Sequence, residues 1–290
     1  MSEPWQHFVQ SQRLKLSYWT WGSANHPPLI LMHGGRDHAR SWDFVAEAFK
    51  DEYHVLACDL RGHGDSEWAR GSHYGTPEHV LDLAALIDLA GGRASVVAHS
   101  FGGAIALLAA GTFPERFERV VSIEGGDAWA SHSPVTPDEF RKWAMQSRGL
   151  EGGSSRVYPT IEDARDRMME ANPRLSSELA LHLARWGTHG IDGGYTWKFD
   201  PWIYARGALH NLRFDELQAL WAQVTCPVLH LSGSESHFNR RQVEGQPIDA
   251  YFPNARSLTI DGAGHWVHHD QLEATIEAIR GFLGEPARAD

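Results

Sequence analysis

One serine of this chain lies in a sequence context that could make it a nucleophile. Ser100 is the centre of the AHSFG segment of residues 98–102, which follows an apolar strand-like run and precedes an Ala- and Leu-rich helical run. A tight strand-to-helix turn, with small residues two positions before and after the serine, lifts the hydroxyl clear of a sheet. The helix that begins there favours developing negative charge. A serine at this point could equally be the N-cap of a buried helix, so the surrounding sequence has to decide.

A histidine near the end of the chain is placed to act on that serine. His265 belongs to the glycine-containing segment DGAGHW of residues 261–266, which follows the last strand-like run. Catalytic groups of open α/β sheets gather at the carboxyl ends of the strands, where such a loop lies. Most single loop histidines have no catalytic role, but this one stands in chain order where the base of a serine triad comes after nucleophile and acid. We therefore predict that His265 is the general base for Ser100.

Two adjacent glycines could supply part of an oxyanion hole. The segment His33-Gly34-Gly35 follows a short apolar run in the first part of the chain. Backbone N–H groups at such a turn can face the oxygen on which negative charge develops. We predict that the N–H groups of Gly35 and Phe101 form this hole. A plain tight turn would also require glycine, so the segment supports the prediction only together with the others.

The elements around these residues alternate between strand and helix patterns in the first part of the chain. The predicted strands are 14–21, 28–32, 53–60, 93–99 and 117–123. The predicted helices are 41–49, 78–89 and 101–110. Such alternation is typical of an α/β fold, in which helices cover both faces of a parallel sheet.

The pattern changes in the middle of the chain and then returns. Residues 127–224 hold helical segments without a strong strand, and the helices are predicted at 137–146, 161–171, 176–186 and 215–222. Strands at 227–231 and 256–260 and a helix at 271–282 follow. We therefore predict a core domain of residues 1–126 and 225–290, with an inserted helical cap subdomain of residues 127–224.

The composition restricts the function classes. The chain has 290 residues, 42% apolar and 22% charged, with a formal net charge of -11. Scattered basic residues and a negative net charge argue against a nucleic-acid partner. No membrane span is expected, and the first residues lack the pattern of a secretory signal. Cys58 and Cys226 lie in strand-like runs and are expected to be buried free thiols, which fits a cytoplasmic location.

Four segments in a fixed order resemble the α/β-hydrolase fold family. They are HGG at 33–35, DLRGHGDS at 59–66, AHSFGG at 98–103 and DGAGHW at 261–266, and the resemblance covers residues 29 to about 283. It implies a mostly parallel sheet flanked by helices, with an inserted cap that resembles that of the serine-hydrolase-like subgroup. In that family the DLRGHGDS segment is mostly structural, so we do not expect Asp59, His63 or Asp65 to be catalytic.

The acid of the triad departs from the pattern of this family. Relatives usually carry an Asp in a Gly-x-x-Asp segment after the strand that follows the cap, but residues 233–236 read Gly-Ser-Glu-Ser, which places Ser236 there. Glu124, at the end of the strand 117–123, is our first candidate, because some capped relatives carry the acid at that point. Glu235, one residue from the usual position, is the second candidate, and Asp127 is the third. For each of the three, a solvated loop carboxylate is the alternative.

The resemblance implies a serine hydrolase that works through an acyl-enzyme on Ser100. Carboxylic ester hydrolysis is the predicted reaction, on a small molecule with an apolar portion, and neither a metal nor a cofactor is expected. Thioesterase, lactonase, amidase and C–C hydrolase activities use the same groups, and a ligand-binding receptor on a retained scaffold is an alternative of another class. Arg36, His38, Trp129 and Trp266 are the predicted substrate-binding residues.

Overall fold

The chain forms an eight-stranded sheet with helices on both faces. The structure is a computed structural model, and it describes residues 4–71, 73–126, 134–150, 155–206, 212–237, 242–243 and 245–285. The strands are β1 (Trp5–Ser11), β2 (Leu14–Trp21), β3 (Pro28–Met32), β4 (His54–Cys58), β5 (Ala94–His99), β6 (Phe117–Ile123), β7 (Thr188–Ile191), β8 (Gly194–Trp197), β9 (Val228–Gly233), β10 (Gln242–Val243), β11 (Gln246–Pro247) and β12 (Ala255–Ile260).

The α-helices alternate with these strands in the two outer parts of the chain. They are α1 (Asp43–Phe49), α2 (Thr76–Leu89), α3 (Phe101–Thr112), α4 (Pro137–Leu150), α5 (Ile161–Ala171), α6 (Ser177–Gly187), α7 (Phe214–Trp221), α8 (Val267–Asp270) and α9 (Leu272–Leu283). Short 3-10 helices occupy 39–42, 114–116, 201–206 and 248–251. Among the helices that the structure describes, no single one is both long enough and apolar enough to cross a bilayer.

The strand order explains how residues far apart in the chain meet. The sheet runs β1-β2-β4-β3-β5-β6-β9-β12. The pairs β1–β2 and β2–β4 are antiparallel. The other pairs of this sheet, which join β4, β3, β5, β6, β9 and β12, are parallel. This confirms the predicted fold class. The loops after β3, β5, β6, β9 and β12 therefore open at one edge of the sheet, because parallel strands end on the same side.

Two apolar layers hold the sheet between its helices. One layer packs α2, α3 and α7 against one face, and the other packs α1 and α9 against the opposite face. The central strands are buried on both sides, which is why their sequences are continuous apolar runs rather than alternating ones. Trp221 of α7 is fully buried in the first layer. Residues 214–224, which the sequence pattern assigned to the cap, therefore pack with the sheet domain.

The inserted segment contains strands that the sequence pattern did not predict. β7 and β8 form an antiparallel hairpin, which corrects the expectation of helices without a strong strand. The turn falls at Asp192-Gly193, where Gly193 has a φ of 88°. An Asp-Gly pair between apolar residues is a strong hairpin signal that was available in the sequence. Helices α5 and α6 pack beside this hairpin around small apolar clusters of their own.

Candidate active site

Ser100 occupies a strained turn between β5 and α3. Its backbone has φ 51° and ψ -115°, a positive-φ conformation that costs free energy for a residue with a side chain. The turn is fixed by a 2.8 Å hydrogen bond from the Ser100 N–H to the Ile123 carbonyl. A Cβ on Gly102 would come within 2.5 Å of the His33 carbonyl oxygen. The glycine of the motif is therefore required by the close approach of the neighbouring strand.

His265 meets Ser100 at the edge of the sheet. Its Nε2 lies 3.0 Å from the Ser100 Oγ, although the two residues are 165 positions apart in the sequence. The His265 side chain is 12% exposed, so the contact is largely shielded from solvent. A hydroxyl and an imidazole at this distance have the geometry that a nucleophile and its general base need.

Glu124 lies on the other side of the His265 ring. Its Oε2 is 3.4 Å from the His265 Nδ1, at the long end of the hydrogen-bond range, as is common in catalytic sites without substrate. The Glu124 side chain is fully buried, and its carboxylate accepts two further hydrogen bonds. The Gly233 N–H donates to Oε1 at 2.8 Å and the Ser236 hydroxyl donates to Oε2 at 2.6 Å. The order Ser100, His265, Glu124 thus forms a continuous polar chain.

The other two candidate acids are not part of this chain of contacts. The Glu235 carboxylate faces Arg174 of the inserted segment, and it forms an ion pair with that guanidinium. Its side chain is about half exposed. Asp127 lies outside the described residues. Sequence reasoning did not anticipate the role of Ser236, whose only signal was its place in the Gly-x-x-Asp position.

The loop after β3 is fixed by an imidazole beneath it. The Leu60 N–H donates to the His33 Nε2 at 3.0 Å, so the proton of the neutral ring is on Nδ1, which donates to the Gly34 carbonyl at 2.6 Å. Burial holds the pKa of His33 well below its ordinary value, which keeps the ring neutral. Gly35 follows on this loop and lines the adjacent cavity. Phe101 is the first residue of α3, where backbone N–H groups have no acceptor within the helix.

A cavity of about 310 Å³ opens beside this loop and the His265 loop. Its lining in the described part of the chain combines apolar and aromatic side chains with five polar or charged ones: Gly35, Arg36, Asp37, Tyr158, Arg167, Met168, Ala171, Asn172, Leu175, Leu183, Trp197, Phe199, Trp266 and His269. Most of these residues come from the inserted segment, which therefore covers the cavity. A pocket of this kind suits an apolar group of a small molecule.

The predicted substrate-binding residues fall in different places. Arg36 and Trp266 line the cavity, whereas His38 is not among its described lining residues. His38 is buried, and its Nε2 donates to the Leu183 carbonyl of α6 at 3.0 Å. Burial lowers its pKa to about 3, so the ring is neutral and joins the loop to the inserted segment. Trp129 lies outside the described residues.

Further buried ionisable groups surround the site. Burial lowers the pKa of His99 and of His268 well below the ordinary value, and neighbouring histidines lower it further. Both rings are therefore neutral near pH 7. Burial also raises the pKa of Asp37 to about 7. The His99 ring lies 4.7 Å, centroid to centroid, from the rings of both His265 and His268, and Asp37 lines the adjacent cavity. Sequence reasoning assigned none of the three a role.

The DLRGHGDS segment has structural contacts. The carboxylate of Asp59 accepts hydrogen bonds from the Ala39 N–H at 2.7 Å and from the Asp65 N–H at 3.1 Å. The guanidinium of Arg61 pairs with Asp82 inside the protein through contacts of 2.6 and 2.8 Å. The segment thus fixes the turn after β4.

Comparison with known proteins agrees with this architecture. A family model described as the alpha/beta hydrolase fold matches residues 27–272. A serine hydrolase-like protein of Danio rerio is 25% identical over 277 residues, covering 91% of this chain and 83% of that protein. An esterase of Mycobacterium tuberculosis is 27% identical over 267 residues, covering 91% of this chain and 84% of that protein.

Solved structures with the same fold include proteins of low sequence identity. A thioesterase domain from the curacin biosynthetic pathway superposes with a TM-score of 0.84 at 22% identity, covering 96% of this chain and 99% of that one. At this identity the likeness concerns the fold. The family match spans most of the chain and agrees with the sheet order, and the chain therefore belongs to the α/β-hydrolase fold family.

Proposed function

We propose that this protein hydrolyses a carboxylic ester through an acyl-enzyme formed on Ser100. The observation that carries the proposal is the uninterrupted polar chain from the Ser100 hydroxyl through the His265 ring to the Glu124 carboxylate. A serine in this arrangement is activated by the imidazole, and the carboxylate holds the ring in the tautomer that accepts the serine proton. Relatives named as esterases support hydrolysis of an ester.

The proposed reaction moves one proton in each step. His265 takes the hydroxyl proton at Nε2 while the Ser100 oxygen attacks the acyl carbon, and the N–H groups of Gly35 and Phe101 stabilise the resulting oxyanion. The imidazolium then gives its proton to the departing alkoxide, which leaves as an alcohol. A water molecule repeats the sequence on the acyl-enzyme and releases the acid. Glu124 stabilises the imidazolium in both halves of the reaction.

The strained backbone at Ser100 favours an enzyme over the alternative of a ligand-binding receptor. Ser100 and Glu124 are both held at positive φ, 51° and 54°. Strain of this kind persists where the surrounding structure imposes it, and it is typical of active sites. A scaffold that only binds a ligand gains nothing from holding a serine and its acid in this way.

The cavity supports a substrate with an apolar acyl or alcohol group. Trp197, Phe199 and Met168 supply apolar lining, and Arg36 on the loop after β3 is the polar lining residue nearest in sequence to Gly35. An apolar pocket with a few polar groups gives affinity through burial and orientation through the polar contacts. We therefore expect p-nitrophenyl esters of short to medium acyl length to serve as test substrates.

A fluorophosphonate probe tests the proposal directly. Such probes phosphonylate an activated serine, so the wild-type protein should be labelled on Ser100 and the label should be found on the peptide that carries it. The Ser100→Ala variant should neither be labelled nor hydrolyse p-nitrophenyl butyrate. Circular dichroism of that variant checks that the fold is intact. Hydrolysis that persists in folded Ser100→Ala protein would refute the proposal.

A further inference from the structure

Three side chains that can ligate a metal meet beside the loops that carry Ser100 and His265, and one of them, Asp37, lines the cavity. Each of Asp37, His99 and His268 offers a ligand atom within 4.8 Å of the ligand atoms of the other two. His99 and His268 are each 1% exposed, and Asp37 is partly buried. They come from three separate segments, which is why no ligand spacing was visible in the sequence.

Four polar atoms of this cluster lack hydrogen-bond partners. Within the described part of the chain, the unpartnered buried atoms include Oδ2 of Asp37, Nδ1 of His99 and both ring nitrogens of His268. A buried polar atom without a partner costs about 1–3 kcal/mol. Three such side chains that converge on one point indicate a bound ion that contacts their unpartnered polar atoms together.

Asp37 and His99 each form a hydrogen bond through their other polar atom, which leaves Asp37 Oδ2 and His99 Nδ1 available to a metal ion. The Asp37 Oδ1 accepts the His38 N–H at 2.9 Å, and the Ser41 hydroxyl is close enough to help lower the pKa of this carboxyl. Oδ2 has no partner in hydrogen-bond geometry, so it can turn to a ligand. The His99 Nε2 lies 2.9 Å from the His265 carbonyl oxygen, which can only accept. The proton is therefore on Nε2, and Nδ1 carries a lone pair. Histidines that bind metals typically donate their other N–H to a carbonyl or carboxylate in this manner.

We propose that Asp37, His99 and His268 form a binding site for a divalent transition metal ion of the zinc class. Two neutral imidazoles and one carboxylate are a donor set that suits Zn²⁺ and leaves a fourth position for water. Ligand atoms around a tetrahedral zinc ion lie about 3.4 Å apart. Because the three ligand atoms lie within 4.8 Å of one another, binding requires any two of them to approach by no more than about 1.4 Å.

The site joins the segments that carry the proposed catalytic groups. Asp37 lies two residues after Gly35, His99 precedes Ser100, and His268 lies in α8 directly after the His265 loop. A Cβ on Gly34 would come within 2.9 Å of the His99 Nδ1, so this ring lies against the loop backbone. A bound ion would link the three segments and stabilise the folded state by mass action.

Titration of the chelator-treated full-length protein with zinc chloride tests this site. We expect one strong site per chain in calorimetry and a rise in the melting temperature with zinc concentration. Asp37→Asn and His268→Gln should each weaken that site by about 100-fold or more. Asp37→Asn is isosteric and keeps the acceptor for the His38 N–H, so it should remain folded. Cobalt chloride should give the intense visible absorption of a four-coordinate ion, and Asp37→Asn should remove it.

Two control variants complete the test. One separates zinc bound at this site from zinc bound at surface histidines, and the other separates zinc binding from the proposed hydrolysis. His189→Gln removes an exposed histidine of β7 and should leave the strong site unchanged. Ser100→Ala should also bind zinc normally, because the site does not use the hydroxyl, so failure of the hydrolase proposal would leave the metal result standing. A titration without a strong site would overturn the proposed metal site. Zinc binding by both Asp37→Asn and His268→Gln as tight as that of the wild type would overturn it as well.

Discussion

The Ser236 hydroxyl donates a 2.6 Å hydrogen bond to the Glu124 carboxylate. Ser236 follows β9 and stands where the family pattern has the triad Asp, whereas Glu124 stands at the end of β6, the neighbour of β9 in the sheet. The two positions thus converge on the same side of the His265 ring. A carboxylate attached at either point would reach the same region, so either position could supply the acid of the proposed triad.

Replacement of Glu124 should reveal whether it is the acid. Glu124→Gln keeps the size of the side chain but removes the charge that stabilises the imidazolium. We expect kcat for p-nitrophenyl butyrate to fall by about 10⁴, with a smaller effect on KM. Glu235→Gln is the matched control, because its carboxylate is exposed and pairs with Arg174; it should retain near wild-type kcat. A larger loss in the control than in Glu124→Gln would transfer the role.

A second variant should restore part of the lost activity. In Glu124→Gln with Ser236→Asp, the new carboxylate replaces a hydroxyl that already lies 2.6 Å from the Glu124 carboxylate, and the amide at 124 can donate to it. We expect kcat at least tenfold above that of Glu124→Gln alone, measured under the same conditions. Ser236→Asp by itself should not increase kcat, because two carboxylates would then repel each other beside one imidazole. A double variant no more active than Glu124→Gln would contradict the convergence of the two positions.

The glycine two positions after the nucleophile should be intolerant of a methyl group. In Gly102→Ala the new Cβ would lie 2.5 Å from the His33 carbonyl oxygen and 2.9 Å from that of Met32 at the end of β3, and this backbone cannot yield easily. We expect the free energy of unfolding to fall by about 1–3 kcal/mol, with loss of esterase activity. Gly281→Ala is the control, since its Cβ meets nothing within 4 Å in α9. That change should stabilise the protein by about 0.5–1 kcal/mol, and urea denaturation of both variants measures the difference.

The stability of the protein should fall in weak acid partly because of His230. Both of its ring nitrogens are buried without a hydrogen-bond partner, and burial lowers its pKa from 6.5 to about 4. Well above pH 6.5 the ring is neutral in both the folded and the unfolded state, so its contribution to stability is constant. Between pH 6.5 and about 4 the unfolded chain takes up a proton that the folded state excludes, which costs up to about 1.4 kcal/mol per pH unit.

His230→Leu should remove that dependence. The apolar side chain needs no partner, so stability at about pH 7.5 should be equal to or above that of the wild type. The difference in unfolding free energy between variant and wild type should then grow as pH falls, reaching about 3 kcal/mol near pH 4. Denaturant titrations at intervals of pH give both curves. Parallel curves for the two proteins would show that the pKa of His230 is the same in the folded and unfolded states.

Local sequence patterns were sufficient for much of the fold because they reflect local physics. The buried strands β3, β5 and β6 are continuous apolar runs, α2 buries apolar residues on one face, and α3 is apolar almost throughout. β1 was missed because it is an edge strand with little burial pattern. The β7–β8 hairpin was missed because its strands are four residues each, too short for an alternation to stand out.

The sequence by itself determined which residue types were available and in what order: a serine at a strand-to-helix turn, a histidine after the last strand, and a choice of three carboxylates. Only the tertiary structure could bring Glu124 beside His265 and pair Glu235 with Arg174. Contacts across 141 positions depend on strand order and side-chain direction, which short patterns do not encode. The meeting of Asp37, His99 and His268 has the same cause, because each side chain comes from a different segment at the sheet edge.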